Sequence, residues 1–331
     1  MTSSKKSDGL TNIQSLVAGG TAGAASRTVT SPLDVVKILF QVQTVPVKAG
    51  IDVQAAAAQT GRTVYTGFFS AFGTIYREEG LKGFWKGNGV ACLRLFPYSA
   101  VKFYVFDYLK PLFLNKDGRL PAEKSVMCGA TAGIIATMSV YPLDLVKTRL
   151  TLQKEGHGPK TYNGVVDCMR KIYQMEGLRG WYKGAYTSVI GVIPFEGGTF
   201  MFYEILKNFQ SGTDKARLSP VQNFVNGCLG AAFAQTFSYP FDLVRKRLQA
   251  QSKAKGMLGE QYTGMVDCFS KIVKTEGFFG LYKGTMANLA KVAPYAGIMF
   301  ATWEQCKVAF LWYNQTYGKN IPKAAPVSPK A

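Results

Sequence analysis

A chain of 331 residues holds one large domain or two to three small ones. At 18% charged it falls below the ~25% usual in soluble domains, and 39 basic against 20 acidic residues give a net charge of +19 that calls for an anionic partner: nucleic acid, acidic lipid or an acidic solute. One histidine, His157, leaves no set for histidine-based catalysis or a two-histidine zinc site, and six scattered cysteines without a CxxC argue against a disulfide framework.

Residues 1–10 form a polar tail with neither the apolar core of a signal peptide nor the Arg-rich pattern of a transit peptide, so targeting information is expected inside the chain. The rest reads as three copies of one unit. Repeat 1 (11–113) opens on a long, weakly polar stretch at 12–43 that carries SPLDVVK. An extra segment, VPVKAGIDVQAAAAQTGR, reads as a loop insertion before YTGFFSAFGTIYREEG, WKG and a second long stretch at 86–113. Repeat 2 (120–212) gives YPLDLVK within 122–152, then YNGVVDCMRKIYQMEG, YKG and a stretch at 183–210. Repeat 3 (217–313) gives YPFDLVR within 220–250, then YTGMVDCFSKIVKTEG, YKG and a stretch at 283–312. Residues 314–331 form a polar tail of disordered composition.

The copies keep common register. Each has Pro-x-Asp-x-x-Lys/Arg: Pro32, Asp34, Lys37; Pro142, Asp144, Lys147; Pro240, Asp242, Arg245. Tyr65, Tyr162 and Tyr262 each stand 14 residues before Glu79, Glu176 and Glu276. Ten residues past Gly87, Gly184 and Gly284 come Pro97, Pro194 and Pro294, and ten further come Asp107, Glu204 and Glu304. Gly87 to Asp107 is 20 residues, about 30 Å of helix, enough to cross a bilayer core. The mean hydropathy of +0.02 is too polar for helices surrounded by lipid alone. The expected fold is therefore an all-α membrane protein, with six transmembrane helices in three pseudo-threefold repeats around a central water-filled cavity; the alternative, a soluble all-α repeat protein, fits such long, apolar, acid-poor helices less well. Gly19, Gly23, Gly129, Gly133, Gly227 and Ala231 are expected to let helices approach closely, and Pro32, Pro142 and Pro240 to bend or interrupt theirs.

The tripled Px[DE]xx[KR], followed by the acid-glycine and [KR]G markers, resembles the mitochondrial carrier family from about 11 to 313. The resemblance implies a multi-pass solute carrier of the mitochondrial inner membrane, monomeric, without cofactor, metal or catalytic residues, and with short helices on the matrix side. It also implies a matrix gate of three ion pairs, Asp34–Lys147, Asp144–Arg245 and Asp242–Lys37. In the family a glutamine nine residues after the proline braces that gate; Gln41 and Gln249 match, and Thr151 departs. A second set, Asp107, Lys110, Glu204, Lys207, Glu304 and Lys307, repeats the three-plus-three pattern at the other helix ends. Two locks at opposite faces suggest alternating access.

Positions where the repeats agree suit gating, whereas cavity positions where they differ suit a solute without threefold symmetry. The family's contact points fall on Arg94, Gly191 with Val192, and Lys291, three residues before each even-helix proline. Two cations beside a flat glycine surface suit a phosphate-bearing solute with a planar group. Arg27, Lys102, Glu196 and Gln235 complete the candidate cavity, with Arg27 and Lys102 equally readable as solvated charges. Helix N-termini attract phosphate, and family members hold cardiolipin at such places, here Gly67, Gly87, Gly164, Gly184, Gly264 and Gly284; glycine also suits plain helix starts. The expected function is exchange of anionic nucleotide-like or coenzyme A-like solutes. The alternatives are carboxylates, amino acids or inorganic anions and, from another class, a basic nucleic-acid-binding protein. The recurrence of the basic residues at bilayer depths argues against nucleic acid as a partner.

Overall fold

The computed structural model describes residues 11–43, 65, 67–115, 121–153, 161–211, 220–253 and 261–317. The repeat-1 insertion, His157, residues 1–10 and residues 318–331 lie outside the described residues, whereas residues 314–317, expected in the polar tail, continue the last helix. Among those described, the chain is helical and forms no β-strand. Repeat 1 contains α1 (Asn12–Val42), α2 (Phe68–Glu79), α3 (Asn88–Leu93) and α4 (Leu95–Leu109). Repeat 2 contains α5 (Ala122–Leu152), α6 (Val165–Trp181, kinked at Gly177) and α7 (Ala185–Ser211). Repeat 3 contains α8 (Pro220–Ala250), α9 (Met265–Glu276) and α10 (Thr285–Tyr317). By length and composition, one described helix, spanning Lys124–Leu152, is apolar enough to cross a membrane unaided.

Thr11 starts α1 with a capping box: Gln14 N–H donates to its hydroxyl at 3.3 Å, and Thr11 N–H donates to Gln14 Oε1 at 2.9 Å. The prolines do not interrupt the odd helices, each of which runs through its proline as one 31-residue element. At Pro32 the lost donor frees the carbonyl of Thr28, which instead accepts the Trp85 indole N–H at 2.8 Å.

Each repeat builds its own core from the same places. Leu145 and Val146 of α5 pack with Tyr162, Cys168 and Ile172; in repeat 1 the equivalents are Val35, Val36, Tyr65, Ala71 and Ile75. In repeat 3, Leu243 and Val244 pack with Cys268 and Ile272. Thus the short helix of every repeat seats on the C-terminal half of its long odd helix. A glutamine fixes the connection: Gln153 donates to the Tyr162 carbonyl at 3.1 Å and accepts its N–H at 2.8 Å. Gln43 does the same for Tyr65 and Gln251 for Tyr262.

The repeats join in a circle, since α4 packs along α5, α7 along α8, and α10 along α1. Among the small residues expected at helix contacts, Gly23 touches Leu95, but Gly19, Gly129, Gly133 and Gly227 face open space. Close approach falls instead at Gly20 against Phe96 and Gly198 against Ala234. Spacing four apart identifies a smooth face without saying whether a neighbour lies on it.

Candidate functional site

The three aspartates of the tripled motif converge. Lys147 Nζ lies 3.2 Å from Asp34 Oδ2, Arg245 Nη2 contacts Asp144 Oδ2, and Lys37 Nζ lies 3.7 Å from Asp242 Oδ2. These contacts run from each repeat to the one before it and close the circle.

Two of the aspartates hold a second cation. Arg94 Nη1 donates to Asp144 Oδ1, and Lys291 Nζ donates to Asp34 Oδ1 at 2.6 Å. Each of these carboxylates divides its oxygens between a cation from an odd helix and one from an even helix. At the third equivalent place stands Gly191, which has no side chain to offer Asp242. The burial follows the pattern: the side chains of Asp34 and Asp144 are 13% and 7% exposed, and that of Asp242 is 43%. Lys37 donates instead to Asn288 Oδ1 at 2.8 Å.

A cavity of about 240 Å³ opens at that third place, between α7 and α8, lined in part by Gly191, Val192, Phe195, Gln235, Phe241 and Asp242. Gln235 reaches toward Asn288 Oδ1 at 3.4 Å. Arg27 keeps a buried Nε without a hydrogen-bond partner among the described residues, and Lys102 lies over the Tyr98 ring. The side chains of Glu196, Glu204 and Lys207 lie outside the described residues. Gln249 accepts from Thr148 at 2.8 Å and Lys246 at 2.9 Å, while buried Gln41 packs by Gly284. Thr151, where a third glutamine would stand, donates to the carbonyls of Lys147 and Lys86.

The other helix ends differ. Asp107, Lys110 and Glu304 are exposed, and among the described residues no ion pair joins them to a neighbouring helix. Lys307 lies over the Trp303 ring.

The family profile described as "Mitochondrial carrier protein" matches residues 8–117, 118–214 and 216–314, nearly the whole chain in three units. The chain belongs to the mitochondrial carrier family. It is 39% identical over 317 residues to Solute carrier family 25 member 43 of Danio rerio, covering 95% of this chain and 86% of that one. It is 36% identical over 318 residues to a mitochondrial adenine nucleotide transporter of Arabidopsis thaliana, covering 89% and 86% respectively. It is 35% identical over 296 residues to a mitochondrial adenyl nucleotide antiporter of Xenopus laevis, covering 88% of this chain and 58% of that one. Members of this family are transporters, not enzymes, and pass several times through the mitochondrial inner membrane.

In this carrier the glycines of WKG and YKG do more than start helices. Gly87, Gly184 and Gly284 adopt φ of +72°, +82° and +87°. A Cβ on Gly87 would meet the Lys147 carbonyl at 3.0 Å, one on Gly184 the Arg245 carbonyl at 3.2 Å, and one on Gly284 the Lys37 carbonyl at 3.1 Å. Each glycine thus seats on the basic gate residue of the following repeat, both for its backbone angle and for want of space.

Sequence reasoning passed over a second charged layer. Arg149 bonds both oxygens of Glu176 at 2.7 and 2.9 Å and donates to the carbonyls of Gln249 and Gln251 in repeat 3. Arg247 pairs likewise with Glu276 and donates to the carbonyls of Gln41 and Gln43 in repeat 1. Burial alone would raise the Glu176 carboxyl, but its bonds and charge contact with Arg149 hold it below the ordinary range. Repeat 1 has Leu39 at this position, and there Lys86 crosses instead to the Gln153 carbonyl at 2.5 Å. The signal lay in the sequence, in KTR and RKR against KIL, but it breaks the threefold rule and so escaped a search for agreement.

Proposed function

We propose that this carrier exchanges anionic, nucleotide-like or coenzyme A-like solutes across the mitochondrial inner membrane by alternating access. The carrying observation is the second cation on two gate aspartates. Arg94 and Lys291 are the cations at the position where the repeats differ, and each already grips a carboxylate of the ring. An anion entering the cavity competes with Asp144 and Asp34 for those cations. Transferring Arg94 and Lys291 to the solute weakens the ring on two sides, so binding loosens the matrix gate formed by Asp34, Lys37, Asp144, Lys147, Asp242 and Arg245. The set at Asp107, Lys110, Glu204, Lys207, Glu304 and Lys307 then closes the cytoplasmic face.

Several observations support this reading. Relatives that are 35–36% identical are named for adenine or adenyl nucleotides. Large apolar side chains are exposed on the long helices, among them Phe103, Phe209 and Phe300, as a lipid-facing surface requires. Helix α4 buries none of its residues, as expected for an element between lipid and a water-filled cavity. One chain is the transporting unit, with cardiolipin phosphates at the helix starts near Gly87, Gly184 and Gly284 and at Gly67, Gly164 and Gly264.

The test is reconstitution into cardiolipin-containing vesicles with a panel of labelled nucleotides, coenzyme A, carboxylates, amino acids and phosphate. Exchange of nucleotides or coenzyme A that is lost in Arg94→Ala and Lys291→Ala supports the proposal. Uptake restricted to carboxylates, amino acids or inorganic anions replaces the solute class.

A further inference from the structure

The circle of charges is weakest at one place, the 3.7 Å pair of Lys37 with Asp242, and that place coincides with the cavity. Asp34 and Asp144 each satisfy two cations, but Asp242 accepts no hydrogen bond among the described residues, and its ion-pair partner Lys37 stands off at 3.7 Å. Two substitutions between repeats produce this. Gly191 removes the even-helix cation found at Arg94 and Lys291, and Asn288 draws Lys37 away at 2.8 Å. The equivalents of Asn288 in the other repeats are Ala91 and Ser188. A half-exposed carboxylate is thereby presented to a cavity lined by Phe195, Phe241 and Gly191, where the one charged neighbour in the lining, Arg245, is already held by Asp144.

From this arrangement we infer that Asp242 is a solute-recognition residue, accepting a hydrogen bond from an amino or N–H group on the flat end of the solute. The inference rests on the nucleotide-like reading above and deepens it. A carboxylate accepts and never donates, so its partner must carry a donor, and the negative charge repels the anionic end of the solute toward Arg94 and Lys291. The cavity, at about 240 Å³, is smaller than the ~300–1,000 Å³ of complete small-molecule sites, and so takes one group of a larger solute. Two phenyl side chains and a bare glycine favour a planar group. The site is thus bipolar, with phosphate at the two cations and an amino-bearing ring at Asp242.

The test compares an adenine nucleotide with the purine nucleotide in which hydrogen replaces the 6-amino group, leaving sugar and phosphates unchanged. Thermal stabilisation of the purified carrier and exchange in cardiolipin-containing vesicles are both read. The wild type should favour the amino compound by about tenfold or more, the worth of one hydrogen bond to a charged group. Asn288→Ala returns Lys37 to Asp242, as Ala91 permits in repeat 1, and should bring the ratio near one. Asp242→Asn should lower it as well, and serves alone where Asn288→Ala does not fold. A wild-type ratio of one, or a ratio unchanged in the variants while both nucleotides still bind, overturns the role of Asp242 and spares the solute class. Absence of binding and exchange for both nucleotides overturns the two together.

Discussion

Arg149 meets Glu176 through two parallel hydrogen bonds, with its guanidinium wholly buried and two further donors spent on carbonyls of the next repeat. Removing Arg149 leaves the buried Glu176 carboxylate with Lys183, at 3.3 Å, and the Ser252 hydroxyl as its partners. Arg149→Leu should therefore cost up to about 3 kcal/mol, the low end for breaking a buried pair, read as a lowered thermal unfolding temperature in detergent. Adding Glu176→Gln to it should recover part of the loss, because an uncharged amide tolerates the site better. Equal stability of wild type and Arg149→Leu would show the pair to be dispensable.

Asp34 faces Lys147 and Lys291 together. Charge reversal in Asp34→Lys should abolish transport, and the further change Lys147→Asp should restore it in part. The rescue stays incomplete because the reversed side chain still confronts Lys291. Vesicle exchange rates of the two variants decide the point, and a double variant as inactive as the single one argues against pairing.

Gly184 and Gly129 make a contrasting pair. Gly184→Ala forces a side chain into positive φ, costing about 1–2 kcal/mol, and also into contact with Tyr141 and the Arg245 carbonyl at 3.1 and 3.2 Å. Unfolding temperature and exchange should both fall. Gly129→Ala enters open space within a helix and should gain up to about 1 kcal/mol.

Burial pushes the thiols of Cys168 and Cys268 up to about 12. Alkylation at pH 8 should therefore label Cys92 and Cys306, which are partly exposed, while sparing this pair until the protein unfolds; mass spectrometry of labelled peptides reads the difference. The linkage is also signed. The unfolded thiols ionise first, near their ordinary value of 9.0, so the stability that they contribute is complete below that pH and is lost as pH rises toward about 12.

Much of the fold was legible because several recurring residues are held by the same contact in each repeat. The tyrosines before the short helices, the acid-glycine pairs and the [KR]G turns recur because their places in the circle are equivalent. Departures from recurrence were harder to read. Leu39 against Arg149 and Arg247, and Asn288 against Ala91 and Ser188, look like noise in an aligned repeat, yet they decide where the second charged layer and the ring of aspartates are incomplete. The glycines at 19, 129, 133 and 227 mislead for a related reason, since one-dimensional spacing places them on a face without giving its neighbour. Nor does sequence tell that Arg94 and Lys291 already hold carboxylates, because such pairing depends on which helix follows which around the circle.

The seat of Gly284 on the Lys37 carbonyl has a consequence for biosynthesis. The final third of the polypeptide is needed to finish the opening third, so a nascent chain that has emitted only two modules carries two raw flanks with nothing to cover them. Truncation near residue 215 should therefore yield a product cleared by proteolysis rather than a smaller working pore. A gene permuted to begin at the second module should encode the same closed annulus, for its order has no privileged starting point.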